Sequence, residues 1–244
     1  MEALVSFLGD PASWEGGTGI PARLVEHVVL SLLAVTVAAG LALPAGFFIG
    51  HTGRLALLGI NVANVGRAVP SYAVMVMILP VSLAAAEPLG YGPRLGLTFV
   101  PIFLAMVLLA IPPILVGAYS GLQGVDRDLI ESSRGMGLTE LEILARVELP
   151  LASPVVVAGF RIALLQVIAT VTLGAILSGG GLGRFIIDGL ARGNTGMLFT
   201  GALLVSGLAI GIDLAVAALQ RALTPRGVHV AAGELAEAST RPAT

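Results

Sequence analysis

The sequence predicts an all-α integral membrane protein with five transmembrane helices, or six if one long apolar stretch splits fully. Three observations carry this. The 244 residues are 56% hydrophobic and only 11% charged, whereas an average soluble domain carries about 25% charged residues. So little polar surface cannot cover a globule of this size. The apolar runs are also long enough to cross a bilayer, which takes about 20 helical residues at about 1.5 Å each. Finally, the charge is concentrated in one internal stretch, 126–150, between two apolar runs.

Composition removes several chemistries. There is no cysteine, hence no disulfide, thiolate metal site or thiol chemistry. His27, His51 and His229 form no ligand-spaced pair and are expected as interfacial or tail residues, with neither metal nor cofactor. All 13 basic residues are arginine. The net charge of -2 says little about partners, and no nucleic acid is expected among them. The 32 glycines suit close helix packing in lipid.

Residues 1–23 mix acids, glycine and proline, lack the basic start of a signal peptide, and read as a polar extracytoplasmic lead-in, with or without a short interfacial helix. Residues 24–222 form the transmembrane domain. The first span covers 24–49, with Pro44 a possible kink, and ends at the turn Gly50-His51-Thr52-Gly53-Arg54. The run 55–86 is too long for one straight span and contains Pro70, which disfavours helix just before it. It reads as a short helix over 55–67, a break at Ala68-Val69-Pro70 and a span over 71–85; one long kinked helix is the alternative. The third span covers 95–122, interrupted by Pro112-Pro113. The fourth covers 153–177 and leads into the link Ser178-Gly179-Gly180-Gly181-Leu182-Gly183-Arg184. A short re-entrant or interfacial helix over 185–196 precedes the last span, 197–219. Residues 223–244 read as a disordered cytoplasmic tail rich in alanine, glutamate and threonine. No internal or inverted repeat is visible, which argues against a secondary transporter built from inverted halves.

Arginine counting orients the chain. With five spans, Arg54, Arg67, Arg127, Arg134, Arg146, Arg221, Arg226 and Arg241 share one side, against Arg23, Arg94, Arg184 and Arg192 on the other. The richer side is expected to be cytoplasmic, with an extracytoplasmic N-terminus and a cytoplasmic C-terminus.

The charged stretch reads as two short helices. Asp128 is a good N-cap with Glu131 three residues on, and Thr139 with Glu142 makes a capping box. Gly135 and Gly137 separate the helices, and Pro150 is expected to stop the second from running unbroken into the next span. Leu141, Leu144, Ala145 and Glu148 are expected on one face. A bundle connection needs only about 2–8 residues, so a 25-residue elbow implies a contact with something soluble.

These residues resemble a family. Importers of the ATP-binding-cassette (ABC) class carry a signature in their membrane subunits: Glu-Ala-Ala, three residues, Gly, nine residues, Ile-x-Leu-Pro. Here Glu131-Ser132-Ser133, three residues, Gly137, nine residues and Val147-Glu148-Leu149-Pro150 keep every offset, with Ser for both alanines and Val for Ile. The resemblance implies that the loop forms coupling helices seated in a cleft of a separate ATPase. Glu131, Ser132, Ser133, Gly137, Leu141, Val147, Leu149 and Pro150 would then make or shape that contact. Small side chains at 132 and 133 permit close docking, and Glu131 can accept charge-assisted hydrogen bonds.

The resemblance extends over most of 24–227. The segment Val62-Ala63-Asn64-Val65-Gly66-Arg67-Ala68-Val69-Pro70-Ser71 is similar to the start of the second core span in small five-span permeases, and Gly179-Gly180-Gly181-Leu182-Gly183 to their link after the fourth span. It implies a methionine-permease-like core. It also implies a prokaryotic plasma membrane location, a second permease subunit (the same chain or a paralogue) and an extracytoplasmic binding protein, all embedded in or apposed to lipid. Val125-Asp126-Arg127-Asp128-Leu129-Ile130-Glu131 and Arg146-Val147-Glu148-Leu149-Pro150-Leu151 look most like the osmoprotectant branch, which imports glycine betaine, proline, choline or carnitine. A permease for methionine or another small amino acid is the alternative.

Four further readings concern the spans. Arg161 and Asp213 are ionisable residues inside them, each costing about 2.5–3.5 kcal/mol at a bilayer centre on insertion scales; pairing and separate snorkelling both stay open. Asn61, Asn64 and Arg67 either line a translocation path or anchor and cap helix ends. Gly207, Gly211 and Ala215 form a small stripe for close approach of another helix. Quaternary ammonium ligands favour aromatic cages; the spans hold no aromatic cluster, so substrate selection is expected in a binding protein.

An enzyme is not expected. A phosphate-binding Gly-x-x-x-x-Gly-Lys loop cannot occur without lysine, and neither a His-Glu-x-x-His motif nor a nucleophile with a base lies in a span. A passive helical subunit of a membrane complex is the remaining reading, and the capped, fixed-offset loop argues against it.

Overall fold

The computed structural model describes residues 2–92 and 97–223, without the side chains of residues 58, 60, 62, 63, 65, 67, 222 and 223. The expected tail over 223–244 therefore lies almost wholly outside the described residues, as do Arg94, Arg226, His229 and Arg241.

The described residues form helices in chain order: α1 (Glu2–Gly9), α2 (Ile20–Thr52), α3 (Ala56–Ala68), α4 (Ser71–Ala86), α5 (Phe99–Gln123), α6 (Arg127–Gly135), α7 (Glu140–Leu177), α8 (Gly183–Ala191) and α9 (Thr195–Leu223). Four of them, α2, α5, α7 and α9, are long and apolar enough to cross a membrane. The fifth expected span, α4, has 16 residues, about 24 Å of helix and shorter than a typical hydrocarbon core.

Proline placement explains the breaks. Pro70 forces Val69 into extended backbone (φ -79°, ψ 126°), and this separates α3 from α4. Pro112-Pro113 does not interrupt α5, contrary to expectation: both prolines lie buried inside a continuous helix. Neighbouring helices packed along that face keep the helix aligned through the lost donors.

Pro150 also fails to separate the elbow from the fourth span. Helix α7 runs for 38 residues, from the elbow through the apolar segment. A π turn over Leu144–Glu148, in which Leu149 N–H donates to Leu144 O, precedes Pro150, and the proline then occupies the first turn of the α-helical part, Leu149–Gly174. There its missing N–H costs little. At about 57 Å, α7 exceeds any bilayer core, so its charged first turns project beyond the apolar part.

The core lies where α2, α5 and α7 meet, with α4 alongside. Ala34, Ala38, Ala105, Ala110, Ala163 and Val167 are fully buried there. Small residues let the backbones approach. At the α5–α7 crossing a Cβ on Gly117 would stand 2.8 Å from Gly159 Cα, so neither position has room for a side chain. A second cluster, Ile20, Leu182 and Phe185, is capped by α1, whose Phe7 ring meets Phe185 edge-on at 6.0 Å. The lead-in thus contains a short helix, α1, packed against α9.

Candidate functional site

The elbow leaves α5 at Gly124 and re-enters the bundle through α7. Asp126, not Asp128, caps α6: its Oδ1 accepts from Asp128 N–H at 2.9 Å, and Asp128 lies in the first turn. Thr139 and Glu142 form the expected capping box, Thr139 N–H donating to Glu142 Oε2 at 3.0 Å and Glu142 N–H to Thr139 Oγ1 at 3.4 Å. Between them Gly137 takes φ +88°, a left-handed conformation open to glycine with little cost.

Arg134 clamps the two halves. Its Nε and Nη2 donate to Glu140 Oε1 and Oε2 at 2.7 and 3.0 Å. That double hydrogen bond holds the Glu140 carboxyl below its ordinary range and the Arg134 guanidinium above its own. Glu142 is likewise lowered, first by the Thr139 backbone N–H and then by its hydroxyl.

The inner side of the elbow is tied to α2. His51 Nδ1–H donates to Glu148 Oε2 at 2.5 Å, and its Nε2 faces Glu140 Oε2 at 3.4 Å. Gln123 Nε2 donates to Gly50 O at 2.6 Å, fastening the end of α5 to the same point. A cavity of about 180 Å³ sits here, lined by Gly50, His51, Gln123, Arg127, Glu131 and Glu148 among others.

The face expected for Leu141, Leu144, Ala145 and Glu148 does not form. Leu141 is 74% exposed, whereas Glu148 is 3% exposed. Seven residues of α-helix nearly complete two turns, but the π turn widens the intervening stretch and rotates the residues beyond it by up to about 100° per added residue. Glu131, Ser132, Gly137, Leu141 and Pro150 are exposed, and Val147 and Leu149 are half-buried. Ser133 instead faces inward, its Oγ donating to Leu129 O at 2.7 Å. Met136, between the two glycines, is 73% exposed at the elbow's tip; an apolar residue in a Gly-x-Gly turn was the signal available for it.

Elsewhere, Asn61 and Asn64 are exposed on α3, and the Arg67 side chain lies outside the described set. The structure brings Arg161 and Asp213 together between α7 and α9, at 2.5 and 2.6 Å. No atom lies near a Cβ built on Gly207 or Gly211, so no helix among the described residues occupies that stripe. The expectation of an interfacial His27 is overturned. It is fully buried, with Nε2–H donating to Ile168 O at 3.0 Å and Nδ1 accepting from Leu182 N–H at 3.3 Å. Glu26 accepts from Gly181 N–H at 2.8 Å, so the glycine-rich link is stapled to α2. Among the described residues no cluster of metal-ligating side chains occurs.

A polytopic helical membrane protein that extends a capped, clamped elbow from one end of its bundle is the class these features define. Residues 42–227 match the family described as "Binding-protein-dependent transport system inner membrane component", and the chain belongs to that family. It is 33% identical over 231 residues to the carnitine transport permease protein OpuCB of Listeria monocytogenes, covering 95% of this chain and 98% of that one. It is 35% identical to the choline transport system permease protein OpuBB of Bacillus subtilis, covering 85% and 89%. Among solved structures, an inward-facing form of the MetNI methionine ABC transporter superposes with TM-score 0.71 at 23% identity over 82% of this chain and 94% of that one. This likeness concerns the fold.

Proposed function

We propose that this chain is the membrane permease of an ATP-driven importer for a small osmoprotectant of the glycine betaine, choline or carnitine type. The relatives at 33–35% identity carry those solutes in their names, while the methionine transporter is similar at 23%. On this reading the 126–150 elbow is cytoplasmic and docks on a separate ATPase, which hydrolyses the ATP. A second permease subunit and an extracytoplasmic binding protein complete the importer.

One observation carries the coupling role. The elbow holds Leu141 and Met136 out at its tip, 74% and 73% exposed, while Ser133 and Glu148 anchor its inner side at 2% and 3%. A surface-exposed apolar tip on a rigid, doubly capped support suits insertion into a cleft. Glu131 and Ser132 flank it as polar contacts.

Co-purification tests the reading. The intact permease brings down its ATPase, and Gly137→Val or Glu131→Arg loses it. A complex that survives both changes with transport intact would overturn the coupling assignment.

A further inference from the structure

A driven elbow must be linked to every span it moves. Helices α5 and α7 are joined to it by the chain itself. Helix α2 is not: it ends at Thr52, and the elbow begins far along the sequence. Yet α2 leads directly into α3, which starts at Ala56 and carries Asn61 and Asn64.

Helix α2 packs on α5 and α7 in the core, and its direct polar contact with the elbow itself is His51. Its Nδ1–H reaches Glu148 at 2.5 Å across 97 residues of sequence. Its Nε2 faces Glu140, which Arg134 of α6 holds in turn. One imidazole therefore touches both ends of the second elbow helix. Glu148 occupies the position that the Ile-x-Leu-Pro signature leaves free, so the signature offsets do not dictate a partner there. The π turn over Leu144–Glu148 points this carboxylate inward, where it is 3% exposed. A buried carboxylate without a partner is strongly unfavourable, so α2 and the elbow cannot separate here without exposing it or leaving it unpaired. The Gln123–Gly50 bond fixes α5 to the same corner.

We infer that His51 and Glu148 form the latch that passes elbow movement into α2 and on to α3. The inference rests on the coupling role proposed above. His51 is a positioning residue in it, acting between helices and touching no solute.

The test uses the complete importer, permease with its ATPase and binding protein, in proteoliposomes. ATP hydrolysis and uptake of labelled glycine betaine are measured together as solute moved per ATP. An asparagine amide nitrogen overlies histidine Nδ1, and a glutamine amide nitrogen overlies Nε2. The latch therefore survives in His51→Asn and breaks in His51→Gln and in Glu148→Leu, which has no acceptor. The expected result is a near wild-type ratio for His51→Asn. The other two variants drop about fivefold or more, a typical size for loss of coupling between sites, with the ATPase still bound and hydrolysing. Equal loss in Asn and Gln variants makes His51 a packing residue and overturns the latch. An unchanged ratio in His51→Gln and Glu148→Leu overturns it as well. Loss of the ATPase from those variants makes the pair part of the docking surface, with the same consequence. If the unmodified permease retains no ATPase, the coupling role itself falls, which co-purification alone reveals.

Discussion

Arg161 and Asp213 meet as a two-pronged ion pair between α7 and α9, guanidinium Nε and Nη2 donating to the two carboxylate oxygens. Seven residues away on each helix, Gln220 Nε2 donates to Pro154 O at 3.1 Å. The two contacts fix one antiparallel register, and the pair satisfies two charges that lipid would penalise.

Removing one partner therefore strands the other. Arg161→Leu or Asp213→Leu alone is expected to destabilise the chain, because the remaining charge is left unpaired against an apolar span. Replacing both with leucine costs less than the sum. A double-mutant cycle of thermal unfolding in detergent checks this, and simple additivity would show that the two side chains act independently.

The α5–α7 crossing depends on two glycines. Gly159→Ala puts a methyl 2.7 Å from Pro113 O and 2.8 Å from Gly117 Cα, both backbone atoms that cannot move aside locally. A loss of about 1–3 kcal/mol is expected, as for other overpacked sites. Gly207→Ala meets nothing within 4 Å, and the isolated chain should tolerate it or gain slightly in helix stability. Melting temperatures of the two purified variants distinguish these outcomes.

His27 fixes the glycine-rich link through both ring nitrogens. His27→Ala leaves Ile168 O and Leu182 N–H buried without these partners, at about 1–3 kcal/mol for the unsatisfied groups. Faster amide exchange over 178–183 is the expected signature. Unchanged exchange there would mean that the link holds without the histidine.

The elbow caps respond to pH with a defined sign. Glu140 and Glu142 both titrate below the ordinary carboxylate range when folded. Their contribution is complete above that range and is lost as pH falls through the lowered values. Protection of the Glu142 and Ile143 amides, corrected for intrinsic exchange, should fall over that acid window. Glu142→Gln, which keeps an acceptor but not the charge, should flatten the dependence.

Much of this was legible in the sequence because it is local. The break at Pro70 follows from proline sterics, and the Thr139–Glu142 capping box from residues three apart. The signature offsets from Glu131 to Pro150 likewise lie within one short stretch of chain. The features that escaped depend on residues distant in sequence. Glu148 turns inward toward His51, and the π turn that redirects it also carries α7 past Pro150. Neither can be deduced from a stretch that reads as plain α-helix. His27 finds its partners 141 and 155 residues away, so nothing near it in sequence shows that it is buried. Asp126 and Asp128 are both good N-cap residues two positions apart, and Asp126 takes the cap.

The solute carried and the energy source that drives its uptake are tested by one measurement. Uptake of labelled choline and glycine betaine into proteoliposomes holding the complete importer tests both together. ATP-dependent uptake, competed by unlabelled betaine, choline or carnitine but not by methionine, is the expected result. Uptake without ATP, or methionine as the better competitor, would contradict it.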